Sequence, residues 1–334
     1  MKRISLVFPV YNEEQVLPTL FERLERLSRL LSGYELEIVF VNDGSYDQSL
    51  QLMQHFQAHD LRCKILDFSR NFGHQVAITA GMDFATGDAI MVLDADLQDP
   101  PEILPQFLDK WEQGYQVVYA VRKTRQEHLF KRLAYRIFYR ILQKISDIPI
   151  PLDSGDFCLM DRTVVNAINA MQERNRFVRG LRSWVGFKQI GLEYDRDKRH
   201  SGEVKYTFPK LIKLGLNGIF SFSYFPLQIA SYSGFLVSII SFFGILVYLY
   251  KKVVLGGEPQ GFPTLVILML FLGGIQLLSL GVIGEYIGRI YDEVKHRPTY
   301  VIRRIYENNP VNNTSNNFAS TPPINPRANK RKQT

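Results

Sequence analysis

Cysteine is nearly absent from this chain of 334 residues, which holds only Cys63 and Cys158. Both lie in apolar segments, so neither a disulfide framework nor a zinc-binding spacing is available, and they read as buried thiols in a reducing compartment. A G-x-G-x-x-G sequence is missing after the first apolar run, which counts against a nicotinamide or flavin Rossmann domain. No nucleic-acid motif accompanies the formal charge of +7, so nucleic acid is set aside as a partner. A cleavable signal is missing as well, because Met1-Lys2-Arg3 leads into a short run broken at Pro9. The soluble part is therefore expected to stay in the cytoplasm.

Charge is itself absent from two stretches, residues 214–250 and 259–284. Each exceeds the roughly 20 apolar residues that cross a bilayer, so two transmembrane helices are expected at 226–250 and 262–284 rather than a pair of buried core helices. Lys251 and Lys252 lie between the stretches, whereas Arg289, Lys295, Arg297, Arg303 and Arg304 follow the second. That bias modestly favours both ends on the cytoplasmic side of a multi-pass protein in the cell's inner membrane.

What the first third contains is a regular alternation. Residues 4–10, 37–41, 64–68, 89–93 and 116–120 read as short, mostly buried strands, with helical patterns over 13–31, 47–59, 74–85 and 102–113 between them. This predicts an α/β, doubly wound, mostly parallel sheet, which binds ligands at the carboxyl ends of its strands. There the fourth strand runs into Leu93-Asp94-Ala95-Asp96-Leu97-Gln98-Asp99-Pro100-Pro101. Two carboxylates one residue apart offer hard oxygen ligands to a divalent cation of the kind that accompanies a diphosphate, although an Asp-rich turn has the same composition. Polar groups also end the first strand, at Pro9-Val10-Tyr11-Asn12-Glu13-Glu14, and the second, at Val41-Asn42-Asp43-Gly44-Ser45. Glu13 and Asp43 taken singly serve equally well as helix or turn caps.

Between residues 122 and 144, eight lysines and arginines interleave with Leu129, Phe130, Leu133, Ile137, Phe138, Ile141 and Leu142 at helical spacing. A basic amphipathic helix of this kind suits an anionic membrane surface, or else is a core-facing helix with a solvated basic face. Residues 204–223 read as a second helix in the interface, leading into the first span.

Taken together, the three stretches already quoted and Ser69-Arg70-Asn71-Phe72-Gly73 resemble family-2 glycosyltransferases of the GT-A fold. Within that family the likeness is to the polyisoprenyl-phosphate branch, which includes dolichyl-phosphate mannose synthases and bacterial undecaprenyl-phosphate glucosyltransferases, and it covers roughly residues 3–300. The resemblance implies a Rossmann-like GT-A nucleotide-sugar domain at 1–200, followed by a mobile loop and interface helix at 201–225 and two spans within 226–288. A basic juxtamembrane segment at 289–306 and a disordered tail at 307–334 complete this organisation. It further implies that Asp43 receives the nucleotide base, that Pro9, Tyr11 and Glu13 shape the wall around base and ribose, and that Arg70 and Gly73 belong to the same donor site. Asp94, Asp96 and Gln98 would hold Mg2+ or Mn2+ against the donor diphosphate. Arg199 and Lys205, in a loop that carries Val204 where relatives often have Ser, would close over it.

Asp156, in Ser154-Gly155-Asp156-Phe157, matches the position of the catalytic aspartate of inverting relatives. A lipid phosphate is already an anion and needs no general base, so the role expected of Asp156 is orientation or charge stabilisation, with base catalysis second. Arg122, Arg132 and Arg136 resemble the residues that clamp the acceptor phosphate, and guanidinium forks suit phosphate oxygens. The implied reaction is transfer of a hexose, with UDP-glucose the favoured donor, to undecaprenyl or another polyprenyl phosphate at a lipid bilayer, for modification of cell-envelope glycans. Mannose or an amino-arabinose derivative is the alternative sugar, and a homo-oligomer is left open. A processive polysaccharide synthase is disfavoured because Val178-Arg179-Gly180-Leu181-Arg182-Ser183-Trp184 only half resembles its Q-x-x-R-W sequence. A silent membrane adaptor is disfavoured by the intact acids.

Overall fold

The computed structural model describes residues 1–122, 154–171, 173–174, 176–194, 225–255 and 261–307. Residues up to Tyr194 and from Arg297 onward belong to one compact unit, and the helices between them to a second.

The first unit is built on an eight-stranded sheet. Strands β1 (Lys2–Val10), β2 (Tyr34–Asn42), β3 (Cys63–Phe68) and β4 (Ala89–Val92) alternate with helices α1 (Leu17–Leu30), α2 (Ser49–His59) and α3 (His74–Phe84). Next come α4 (Leu104–Glu112), β5 (Val117–Arg122), β6 (Ser154–Asp161), α5 (Arg162–Ala170), α6 (Val178–Trp184) and β7 (Gln189–Tyr194), with β8 (Ile302–Tyr306) joining much later in the chain. The order across the sheet is β7-β5-β6-β4-β1-β2-β3-β8. Strands β1 to β4 pair in parallel, whereas β6 runs antiparallel to both β4 and β5.

Two features of this topology position a site. Chain order reverses at β1, because β2 and β3 lie on one side and β4 on the other, and such a switch point opens a crevice at the carboxyl ends of the strands. β4 pairs with β1 only over Ile4–Val7, so Phe8, Pro9 and Val10 run past its end. Pro9, which cannot donate to a ladder, sits where the β4 side no longer asks for a donor. Second, β6 enters the sheet in reverse with Val92 opposite Cys158, so its amino end, at Asp156, lies beside the carboxyl end of β4.

The central strands are apolar on both faces, with Ile4, Leu6, Val7, Phe8, Val39, Phe40 and Val41 fully buried, as helices on both sides of a parallel sheet require. α1 is amphipathic and buries Leu17, Leu20, Leu24 and Leu27 at helical spacing. Phe21 stacks on Phe56 of α2 at 4.3 Å.

The second unit holds α7 (Phe225–Leu255) and α8 (Phe262–Val294). Both are long and apolar enough to cross a membrane, with mean hydropathy of 2.0 over Phe225–Lys251 and 2.2 over Ile267–Val294. Their side chains are outward and apolar, Phe235, Ile240, Phe243, Leu270 and Leu277 among them, and such a surface is stable only in an apolar medium or under a partner. α8 continues past the uncharged stretch that ends at Gly284. Glu285 and Arg289 pair at 2.9 Å across one turn, which lets charge lie along the helix without ending it.

The segment read from sequence as a basic juxtamembrane stretch is partly a strand. β8 runs antiparallel to β3 and covers an edge that would otherwise expose unpaired backbone groups. The basic helix at 123–144, the interface helix at 204–223 and the tail beyond Glu307 lie outside the described residues.

Candidate active site

Three strand ends meet at the crevice, and side-chain to backbone bonds lace them together. The N–H of Asn12 donates to Ser45 Oγ at 3.0 Å, that of Tyr46 to Asn12 Oδ1 at 3.0 Å, and that of Glu13 to Ser49 Oγ at 2.9 Å. Tyr11 meets Tyr46 edge to face at 6.0 Å, and Tyr46 is exposed, so the β1 and β2 loops present an aromatic wall. Gly44 lies against the 70–71 backbone: a Cβ there would stand 2.5 Å from the Arg70 carbonyl carbon, and its φ of +69° also favours glycine.

Asp43, almost fully buried, accepts hydrogen bonds from the N–H groups of Phe72 at 2.6 Å and Gly73 at 3.0 Å. Burial pushes this carboxyl up from its usual range, against the pull of those two donors. The capping role is thus present, since Asp43 holds the loop that opens α3.

Beyond β4, the carboxylates of Asp94, Asp96 and Asp99 crowd into one turn. Gln98 N–H donates to Asp96 Oδ1 at 3.1 Å, closing an Asx turn, and Tyr194 Oη donates to Asp99. Leu97 between them has φ +59° and is buried, a backbone conformation that costs a side-chain-bearing residue about 1–2 kcal/mol. Strain of this kind persists where the surroundings over-determine it. Burial and the carboxylates of Asp99, Asp96 and Asp156 push Asp94 up to about 6, although His74 pulls the other way.

Asp156 faces this turn from β6. Arg179 of α6 grips it with two bonds, Nε to Oδ1 at 2.7 Å and Nη2 to Oδ2 at 3.0 Å, and Gln75 Nε2 donates to Oδ2 at 2.9 Å. His74 Nε2 lies 3.4 Å from Asp156 and 3.5 Å from Asp94. Burial would raise Asp156, but Arg179 and His74 outweigh it and hold the carboxyl far below the usual range. Burial likewise would lower His74, yet the hydrogen bond to Asp156 and the charge of Asp94 push it up to about 9, so its imidazolium links the two acids. Gln75 is fixed in turn, since Val178 N–H donates to its Oε1 at 2.9 Å.

The family model for glycosyl transferase family 2 matches residues 5–168 of the chain. An uncharacterized glycosyltransferase of Bacillus subtilis is 51% identical over 304 residues, 90% of this chain and 94% of that one. The prophage bactoprenol glucosyl transferase homolog of Escherichia coli is 44% identical over 304 residues, covering 91% and 99% of the two chains. The prophage-derived bactoprenol glucosyl transferase of Shigella flexneri is 43% identical over 309 residues, 92% of this chain and all of the other. The chain belongs to glycosyltransferase family 2. It is a glycosyltransferase with the mostly parallel α/β sheet of a GT-A-like fold.

For a glycosyltransferase the acid turn fits a divalent cation by its chemistry. Among the described residues no three His, Cys, Asp or Glu side chains already form a cage. Mg2+ does not ask for one, because it keeps waters and shares its shell with substrate phosphates through one or two carboxylates. Burial and its acidic neighbours push Asp94 up from the usual carboxylate range, and a cation would offset that repulsion.

The sequence-predicted residues Pro9, Tyr11, Glu13, Asp43, Arg70, Gly73, Asp94, Asp96, Gln98 and Asp156 all fall at this edge of the sheet. Arg70 stacks its guanidinium over the Phe72 ring at 4.0 Å. Arg122 ends β5, and Arg132, Arg136, Arg199 and Lys205 lie outside the described residues. Sequence reasoning missed His74, Gln75 and Arg179. The signal for the first two is their place directly after Gly73. For Arg179 it is the half-match to Q-x-x-R-W, a family mark that by itself does not point to a partner for Asp156. A cavity of about 600 Å3 lined by Lys2, Asp88, Trp111, Asp161 and Arg162 lies at the opposite, amino edge of the parallel strands, away from these groups.

Proposed function

We propose that this glycosyltransferase moves glucose from UDP-glucose to a polyprenyl phosphate such as bactoprenol, with inversion, at the cytoplasmic face of a membrane that α7 and α8 cross. Asp156, clamped by Arg179 beside the Asp-x-Asp turn, carries the reading. A carboxylate held so far below the usual range is a poor proton acceptor but a permanent negative charge. Such a charge suits the oxocarbenium-like anomeric carbon of a transferring sugar. The acceptor phosphate is itself the nucleophile and brings no proton that must be removed.

The remaining residues divide the task. Asp43 and Gly44 fix the loops that receive the nucleotide, and Tyr11 and Tyr46 offer a surface for the base. Asp94, Asp96 and Gln98 would hold Mg2+ or Mn2+, which neutralises charge on the departing nucleoside diphosphate. Arg199 and Lys205 would close over that diphosphate, and Arg122, Arg132 and Arg136 would hold the lipid phosphate at headgroup level. The relatives named as bactoprenol glucosyl transferases support the sugar and the acceptor.

The test is direct. Purified protein in lipid is given undecaprenyl phosphate with UDP-glucose, UDP-galactose, GDP-mannose or a UDP-linked amino-arabinose in turn. Glucosyl-lipid from UDP-glucose is the expected product. Product only with another donor would replace the sugar in this reading, and polymer would replace the reaction.

A further inference from the structure

The strand that follows the apolar hairpin reaches the donor loops. Tyr300 stands only six residues beyond the end of α8 at Val294, and from there to Tyr306 the chain lies along β3. Its backbone takes hold of the loop after β3, because Ser69 N–H donates to the Val301 carbonyl at 3.0 Å. The register then shifts: Phe68 pairs with Ile302 but Asp67 with Arg304, so Arg303 is the extra residue of a bulge. Bulges re-aim side chains, and they concentrate beside active sites. Arg303 Nη2 donates to the Ser69 carbonyl at 2.8 Å, and its Nη1 lies 3.6 Å from Oδ2 of Asp67, whose side chain is 2% exposed.

From there two lines of contact run into the site. Asp67 Oδ1 accepts from Asn42 Nδ2 at 2.8 Å, and Asn42 Oδ1 accepts from Ser45 N–H at 3.2 Å, so Asp67 braces the loop that carries Asp43 and Gly44. On the other line, Tyr300 stacks on Phe68 at 5.3 Å, Phe68 meets Phe72 edge to face at 5.6 Å, and Arg70 lies over Phe72. Phe72 and Gly73 are the donors that hold Asp43. Tyr300 is pinned at its far end, where its hydroxyl donates to Asp83 of α3 at 2.9 Å.

We propose that Arg303 is a positioning residue of the donor site, fixing from the post-hairpin strand both the 69–73 loop and the loop of Asp43. The site is then complete only when the segment beyond the second apolar helix has returned to the sheet. This inference rests on the donor reading given above for the carboxyl edge. Arg303 touches no substrate in this scheme, and its effect falls on donor affinity and not on acceptor affinity.

Titration of the full-length protein in detergent with UDP and Mg2+, followed by calorimetry, tests it. Loss of one charge-assisted anchor at an exposed position predicts an Arg303→Ala Kd for UDP about three- to tenfold above wild type. The KM for polyprenyl phosphate should stay unchanged. Arg303→Lys should recover part of the loss. Arg304→Ala, one residue along and with its guanidinium over the Tyr306 ring at 5.0 Å, should bind as wild type. Arg303→Gln, which keeps the stem and a neutral donor, replaces the alanine variant if that one does not fold. A wild-type Kd in the Arg303 variants, or an equal loss in Arg304→Ala, overturns the proposal. Hydrogen exchange gives a readout free of the ligand, as the Phe72 and Gly73 amides should exchange faster in Arg303→Ala. If wild type itself binds no UDP, the donor reading fails, and unchanged exchange at those two amides would then overturn the positioning role separately.

Discussion

Replacing Arg179 by alanine removes the main partner of Asp156 and tests the central feature of the site. The Asp156 side chain is 5% exposed, and Arg179 donates two hydrogen bonds to its oxygens, at 2.7 and 3.0 Å, beside the one from Gln75. Removing one member of a buried pair costs about 3–5 kcal/mol when the other is left bare. Here Arg179 is 26% exposed, so water can enter its place, and Gln75 and His74 remain on Asp156. A loss of about 2 kcal/mol is therefore expected, or roughly 4–8 °C in Tm for a unit of this size. The effect on turnover should be larger in proportion, because an unfixed carboxylate misplaces its charge at the anomeric carbon, and displacements near 1 Å cost about a hundredfold. Steady-state assays should show kcat down by about 10- to 100-fold with the KM for UDP-glucose little changed, and Arg179→Lys should recover only part, as it keeps charge but not the fork. The pH dependence has a definite sign. Asp156 is depressed in the folded state, so its contribution to stability is full above the unfolded carboxyl value near 3.9 and is lost only as pH falls through the lower folded value. Wild type should then show no acid limb assignable to Asp156 down to about pH 5, whereas Arg179→Ala should bring one in. Wild-type kcat and an unchanged acid profile in Arg179→Ala would refute the reasoning.

Asp96→Ala should abolish transfer while leaving the stability within about 1 kcal/mol of wild type, since the half-buried carboxylate supports no apolar core; EDTA should likewise abolish transfer by wild type, and full activity in chelator would remove the metal role. Arg132→Ala and Arg136→Ala should each raise the KM for polyprenyl phosphate several-fold with UDP binding unchanged, whereas a merely solvated basic face predicts only about 0–1 kcal/mol in either quantity. Gly44→Ala should weaken UDP binding and lower stability by about 1–3 kcal/mol, because its Cβ would press on the Arg70 backbone at 2.5 Å, and a neutral result in calorimetry would show that the two loops can part at no cost.

The periodicities of 2 and 3.6 carry local information, and what they carry was legible. Short buried strands alternating with helices, polar groups at each strand end and two uncharged stretches long enough to cross a membrane all follow from the order of residues along the chain. The acid turn was readable for the same reason, since Asp94 and Asp96 need only their own strand to stand at the carboxyl edge.

Pairing between distant segments follows a different rule, because which strand lies beside which is decided by the packing of the whole sheet. That β6 runs backwards beside β4, and so carries Asp156 to Asp94, is not written in either segment's pattern. Gln75 and Asp156 meet across 81 positions and Arg303 and Ser69 across 234, distances over which composition says nothing of contact. Sequence named the acids, and tertiary structure decided their charges. Asp156 is ionised because Arg179 and His74 reach it, and Asp94 is pushed up because it is partly buried and three other carboxylates lie near it. The strand 302–306 is the sharpest case. Its two arginines read as a basic stretch beside a membrane, yet the open edge of β3 needed a partner and the bulge turned Arg303 onto Asp67 and Ser69.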